Sequence, residues 1–387
     1  WVLTADGVVV AEGDLPALTA APGAAQEFRL PVEQLQGPGE RFVTVRFFQR
    51  LPTLWAPAGH EVGWAQLPVS STVATPARTP VAADQVTVAE DEHTITLATS
   101  ARSAASGSVP VRAVFDKASG ALTSFTVGDT NLLVAGPKLH VWRGATDNDG
   151  IKLMMEHQGH KPLAHWLALG LDKVQQQLEG LRLAETEDGL PAVEVVHQAS
   201  GRGRWDDFVH THRYVLQPSG ELVVENHVQL GNDITDPPRV GVDLVLKPAL
   251  EQLTWYGRGP WENYSDRKAA AQVGIYQSTV AQEYVPYIMP QEHGHKTDVR
   301  WLRLTDAAGH GLQVNGEPTL EFSASHFSDE ALFAARHTVD LQPQAEVLLH
   351  LDGAHRGLGT ASCGPDTLDS YRLLDHDYRF TYRLSAV

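Results

Sequence analysis

A single cysteine, Cys363, among 387 residues leaves no partner for an internal disulfide and no thiolate cluster for a metal. The chain therefore carries no adaptation to an oxidising compartment. No apolar run approaches the roughly 20 residues that a membrane-spanning helix needs. Basic residues are scarce: 30 Lys and Arg stand against 47 Asp and Glu, for a net charge of -17. A negative field of that size opposes binding to nucleic-acid phosphates and anionic lipid, and suits a neutral partner such as a sugar. The sequence also lacks a phosphate-cradling Gly-x-x-x-x-Gly-Lys-Ser/Thr loop, a Gly-x-Ser-x-Gly elbow and a His-Glu-x-x-His helix, which removes support for nucleotide-binding, serine-hydrolase and zincin chemistry. It begins at Trp1 with neither Met nor a basic leader, and reads as cut from a longer protein.

What is present is β-strand. From Trp1 to about Ser70, alternating runs such as Arg41-Phe42-Val43-Thr44-Val45-Arg46-Phe47 are broken by Asp6-Gly7, Pro22-Gly23 and Gly37-Pro38-Gly39. Period-two runs between such turns predict a small β-sandwich over 1–70. Residues 71–83 are small and proline-containing and predict a linker. Strand-like segments then recur through 84–387, among them Val193–His197, Leu222–Leu230 and Tyr378–Leu384, predicting a large antiparallel assembly. Helix content is expected to be very low. Only the stretch from Pro162 to Leu169, with Pro in its first turn and Gly170 to stop it, has a helical pattern.

Four segments combine turn glycines with aromatic, acidic and amide side chains, the groups that stack on pyranose faces and pair with vicinal hydroxyls. They are Val141–Gly150, which contains Asp147-Asn148-Asp149-Gly150; Trp255–Arg267, dense in aromatics; Tyr284–Asp298, with a His293-Gly294-His295 pair; and Gly357–Thr367, around Cys363. Each has a plain reading beside the functional one. The acidic run could simply cap a turn, the aromatic loop could be a rigid surface loop, and the histidine pair lacks a visible third ligand. Cys363 has no adjacent His motif to activate it, which favours a wall role over nucleophilic chemistry. His210 and His212, two apart, share one strand face; Asp206-Asp207 reads as a solvated turn.

Taken in order, Trp-Arg-Gly-Ala-Thr-Asp-Asn-Asp-Gly (142–150), Tyr-Gly-Arg-Gly-Pro-Trp-Glu-Asn-Tyr-Ser-Asp-Arg (256–267), Pro-Gln-Glu-His-Gly (290–294) and Ser-Cys-Gly-Pro-Asp-Thr-Leu (362–368) resemble the last domain of family 2 β-galactosidases. The segment Trp55–Gln66 resembles the immunoglobulin-like domain that precedes it in that family. The resemblance implies an all-β chain: a small immunoglobulin-like β-sandwich, then a large β-supersandwich of the galactose-mutarotase type. It also implies retaining hydrolysis of terminal β-D-galactosides by the full enzyme, through two Glu residues on a (β/α)8 barrel. No alternating strand-helix pattern of about 250 residues occurs here, so no catalytic residue is assigned to this chain, and it is expected to be inactive alone. Its implied contribution is an active-site wall and subunit contacts, with Asp147, Asn148, Asp149, Gly150 and Cys363 as the substrate-binding candidates. Well-known members present a Trp near the place of Cys363. No aromatic occurs between Gly357 and Asp369, which puts acceptor-sugar stacking and lactose preference in question.

The resemblance further implies a barrel-bearing partner domain on the same or a companion chain, a homo-oligomeric full enzyme, a cytoplasmic location, and no cofactor in this chain, with Mg and Na ions belonging to the parent enzyme. Two rival readings remain. A stand-alone aldose 1-epimerase would need a His acid and a carboxylate base, from a pool of His210, His212, Glu262, Glu292 and His293. A non-catalytic module would bind sugar or join subunits, as the small chain of a split β-galactosidase.

Overall fold

The computed structural model describes residues 1–30, 37–70, 86–99, 109–157 and 159–387. The chain divides into two compact units, Trp1–Thr79 with Gln272–Ile275, and Pro80–Ala271 with Tyr276–Val387. The proposed linker, 71–83, lies outside the described residues.

In the first unit four strands, β1 (Val2–Ala5), β2 (Val8–Glu12), β3 (Arg41–Phe48) and β4 (Glu61–Ser70), form one antiparallel sheet in the order β2-β1-β3-β4. The β1–β2 hairpin turns on Asp6-Gly7, both at positive φ (47° and 79°), the pairing that matches the twist of a tight hairpin.

The second unit is built from two sheets. One has five strands in sequence order: β5 (Val86–Glu90), β6 (Thr94–Thr99), β7 (Val111–Asp116), β8 (Leu122–Val127) and β9 (Thr130–Asn131). The other has twelve strands. Its main path uses β10 (Leu133–His140), β11 (Gln175–Glu185), β12 (Pro191–Ser200), β13 (Phe208–Leu216), β14 (Leu222–Leu230), β15 (Arg239–Leu246), β19 (Gly311–Ser325), β20 (Val347–His355) and β21 (Asp377–Ala386). These run β10-β15-β20-β19-β21-β14-β13-β12-β11; β16 (Gln252–Gly259), β17 (Gln272–Thr279) and β18 (Lys296–Thr305) branch from β19 through β18. The chain is all-β, as its alternation predicts.

Alternation explains which faces meet. On β13 and β14 every second side chain is buried, and Phe115 of β7 lies 4.9 Å from Tyr214 of β13, ring centre to ring centre, where the two sheets face. One apolar core joins them, including Phe125, Leu244, Leu304 and Leu351. A second cluster, containing Trp142, Leu163, Trp166, Phe208 and Val240, lies under the loops described below.

Helix α1 (Pro162–Ala168) starts on Pro162, where a missing N–H costs nothing, and ends before Gly170 at φ 69°. It buries Leu163 and Trp166, three apart on one face, and Trp166 Nε1 donates to Asp236 O at 2.8 Å. A second helix, α2 (Asp329–Ala334), begins on Ser328, whose Oγ accepts from Ala331 N. Among the described residues no helix is long and apolar enough to cross a membrane.

Candidate functional site

All four singled-out segments come together in the second unit, and their own polar groups join them. In the first loop Asp149 accepts from Arg143 Nε (3.1 Å) and Nη2 (2.6 Å), from Thr146 N (2.8 Å) and from Thr146 Oγ1 (3.0 Å). Both partners of that ion pair are fully buried, so Asp149 holds the loop's shape and faces no solvent. Asn148 reaches across to the fourth segment: Nδ2 donates to Gly359 O (2.7 Å), and Oδ1 accepts from Ser362 N (3.1 Å). Asp147 is exposed, while its backbone N–H donates to Gln291 Oε1 of the third segment (3.1 Å). Gly150 is buried at φ 147°, a conformation that favours glycine.

The second and third segments close the ring. Asp266 accepts from Leu358 N (3.0 Å), Gly359 N (2.7 Å) and Thr367 Oγ1 (3.1 Å), fixing the fourth segment from below. Glu262 accepts from Arg267, from Tyr287 Oη and from Gly294 N. Glu292 N donates to Gly144 O (2.6 Å), tying third to first. The exposed side chains of this ring include Asp147, Trp261, Ile288 and Cys363. The sequence reading thus named loops that do assemble, but of its five candidate residues only Asp147 and Cys363 present free side chains outward. Asn148 is engaged between loops.

Beneath the ring lies a buried polar network that the sequence reading missed. Arg239, at the start of β15 and fully buried, donates to Glu292 Oε1 (2.9 Å), Asp329 Oδ2 (3.4 Å), His350 Nδ1 (2.7 Å) and His140 Nδ1 (3.3 Å). Asp329, in the first turn of α2, also accepts from Gly144 N (3.1 Å). Burial pushes the Asp329 carboxyl up, but Arg239, His350 and His140 together hold it well below the usual range. Burial is likewise the largest influence on Glu292 and wins there, raising it against the pull of Arg239. Asp352 approaches Gly241 of β15 so closely that a Cβ there would meet Asp352 Oδ1 at 2.1 Å, so the glycine makes room for the carboxylate. The available signal was the period-two pair His350 and Asp352 inside the apolar run of β20.

The remaining candidates separate into other groups. His210 and His212 are buried on β13, ring centres 3.6 Å apart, with Asn226 and Tyr214 as partners; burial holds His210 down to about 3, a neutral imidazole. They belong to a different group from Glu292. His293 Nδ1 donates to Gln291 O at 3.0 Å, and His295 Nε2 pairs with Glu321. Of the Asp206-Asp207 pair expected as a solvated turn, Asp206 is exposed in a turn, but Asp207 is buried, with Arg202 forked onto it and Ser200 Oγ donating at 2.7 Å. A nearby guanidinium, placed by chain reversal, made burial affordable.

A family model described as "Beta galactosidase small chain" matches residues 107–384, and one described as "Beta-galactosidase, domain 4" matches residues 1–70. The chain belongs to the β-galactosidase family. The β-galactosidase of Priestia megaterium is 30% identical over 363 residues, covering 93% of this chain and 33% of that protein. Beta-galactosidase 2 of Enterobacter cloacae is 30% identical over 390 residues, covering 99% and 36%. This β-galactosidase-family chain therefore spans about a third of the length of the curated relatives it matches. Among solved structures, a galactose mutarotase-like protein from Lactobacillus casei covers 78% of this chain and 100% of its own, at 9% identity and TM-score 0.41. A galactose 1-epimerase from Lactobacillus acidophilus gives 10%, 0.36 and coverage of 78% and 98%.

Asn148 offers a direct check on how the loops of this β-galactosidase-family chain are joined. Asn148→Ala removes both links to the fourth segment and is expected to cost about 1–3 kcal/mol. Limited proteolysis should show the Gly357–Thr367 segment cut several-fold faster, while the far-ultraviolet spectrum stays unchanged. An unaltered cleavage rate would show that the two loops hold their positions independently.

Proposed function

We propose that this chain is the C-terminal, non-barrel part of a β-galactosidase, and that its loop ring supplies a wall of the active site on a catalytic barrel it does not contain. The observation that carries this reading is the Asn148 bridge, which sets Asp147 and Cys363 on the outward side of two loops held as one unit. A carboxylate there takes hydrogen bonds from sugar hydroxyls, and the thiol of Cys363 offers contact without aromatic stacking. The companion surface has support in the first unit, where Phe48, Leu51, Leu54, Trp55 and Val62 are exposed. Large apolar side chains clustered in sequence and open to solvent mark a surface that another domain covers. The lone exposed cysteine suits a cytoplasmic parent enzyme.

The test is hydrolysis of a chromogenic β-galactoside by the chain alone and after mixing with its barrel-containing remainder. Silence alone with recovery on mixing is the expected outcome; turnover by the chain alone would overturn it and place a hydrolytic site among this chain's own His and Glu residues. In the mixed enzyme, Asp147→Ala should raise KM several-fold with little change in kcat, as removal of a uniform binding contact does. Cys363→Trp should lower KM for lactose more than for the chromogenic substrate, because an added indole stacks on the second sugar.

A further inference from the structure

Helix α2 hands its last carbonyls to a lysine. The backbone N–H groups that would continue the helix, those of Arg336 and His337, donate instead to Asp340 Oδ2 at 3.1 Å and 2.9 Å. Leu332 O and Phe333 O, four residues before them, are thereby released from the helical ladder. Lys152 Nζ faces both, at 2.8 Å and 2.9 Å, together with Ala335 O at 2.5 Å and Pro290 O of the third segment at 3.0 Å. Four carbonyls thus converge on an ammonium with three hydrogens, a cage fitted to a positive charge and not to a neutral donor. Burial pulls Lys152 down to about 8 and the Asp147 carboxylate opposes the fall, so the group is charged at neutral pH.

The same helix holds the other arm of the first loop. Asp329, in its first turn, accepts from Gly144 N at 3.1 Å, and Trp142 sets its ring edge-on to Phe333 at 5.3 Å. A Cβ on Gly144 would meet Leu332 Cβ at 2.9 Å, so the glycine is what lets the loop lie against α2. Lys152 Nζ in turn lies 5.7 Å from the Phe333 ring centre. The six-residue helix α2 therefore grips the chain at Gly144 and again at Lys152, and Asp147 stands between the two grips.

We propose that Lys152 is a positioning residue for the active-site wall: a tethered cation that locks the downstream arm of the Asp147 loop onto α2 and the third segment, and so sets where the Asp147 carboxylate meets sugar. Only the last step, contact with sugar, rests on the β-galactosidase reading; the clamp itself belongs to this chain. A flexible stem ending in a compact point charge suits a cage of carbonyls, whereas the planar fork of an arginine is shaped for two parallel acceptors. The competing account is a plain helix cap. A cap would stabilise the end of α2 and leave the loop, and hence sugar binding, where they are.

Lys152→Ala removes the cation and leaves room for propylammonium, which matches the missing atoms in length and charge. In the 387-residue chain the variant is expected to be cut by thermolysin within 147–154 about tenfold faster, the effect of losing hydrogen bonds to a charged group. Propylammonium chloride should restore most of the protection. Tetramethylammonium chloride at the same ionic strength, a cation without N–H donors, should restore none. Lys247→Ala, at an exposed position, should leave the rate unchanged. In the enzyme mixed with its barrel-containing remainder, Lys152→Ala should raise KM several-fold at near-constant kcat, and propylammonium should reverse the rise. Faster cleavage with KM unmoved would reduce Lys152 to a helix cap and overturn the proposal. Equal rescue by the two cations would also overturn it, because screening alone would then be at work. If the wild-type mixture hydrolyses nothing, the β-galactosidase reading fails, while cleavage and amine rescue still decide the clamp. Should Lys152→Ala fail to fold, lysine acylation of the wild type decides: Lys152 modified several-fold more slowly than Lys247 supports the cage, and equal rates overturn it.

Discussion

Replacing Arg239 with Leu is expected to destabilise the large unit by about 3–5 kcal/mol, enough to take much of a domain's net stability. The guanidinium is the hub of a network whose other members come from four separate stretches: His140 at the end of β10, Glu292 in a loop, Asp329 on α2, and His350 on β20. Removing it strands Asp329 as a buried carboxylate without its main cation and leaves Glu292, which burial already raises, without its donor; the cost is chiefly the desolvation of Asp329. Arg239→Lys should fall between, since one ammonium cannot fork to His350 and Glu292 together. The pH dependence has a definite sign. Arg239 and its neighbours hold Asp329 below its unfolded value, so its contribution is present above about pH 4 and disappears as pH falls through the folded value. Without Arg239 the carboxylates take up protons readily, so the gap between variant and wild type should shrink from pH 7 to pH 4.5. Urea midpoints at the two pH values measure this. A loss under about 0.5 kcal/mol at pH 7 would show that the network contributes little.

The parts of this molecule that were legible in the sequence were those with a local period or a local turn. Alternation on β3, β13 and β14, the Asp6-Gly7 hairpin, and helix α1 between Pro162 and Gly170 all follow from neighbours within a few residues. The four loop segments were visible because glycine and aromatic residues cluster in them. Their polar network was not. Arg239 meets Glu292 across 53 positions and Asp329 across 90, distances that no periodicity encodes. Helix α2 has six residues, too short for a 3.6-residue pattern to show. The strand β20 is buried on both faces, so His350 and Asp352 sit in what reads as a plain apolar run. Asp147-Asn148-Asp149 shows the limit most clearly: three similar side chains in a row point to solvent, to the neighbouring loop and to a buried arginine, and only the folded chain tells them apart.

Asp149→Ala is the sharper test of that division. It removes every acceptor that Arg143 Nε and Nη2 meet in the loop and leaves a fully buried guanidinium, whose remaining partners are the carbonyls of Arg356 and Gly357, His355 Nδ1 at 3.5 Å and the ring of Trp166. A loss of about 3–5 kcal/mol is expected, because breaking one side of a buried pair costs more than the pair contributes. Combining it with Arg143→Met should recover a good part of that loss: the stranded charge is gone, and an apolar chain of similar length can lie against Trp142 and Trp166. A double variant as unstable as the single one would mean that Asp149 acts through Thr146, whose N–H and hydroxyl it also accepts. The two outcomes separate a charge effect from a turn effect. Under the proposed function they also differ in consequence. A repaired charge with an open turn leaves the loop free to move, so the double variant mixed with its barrel partner should keep stability but lose activity. Stability and activity returning together would show that the ion pair alone sets the wall in place.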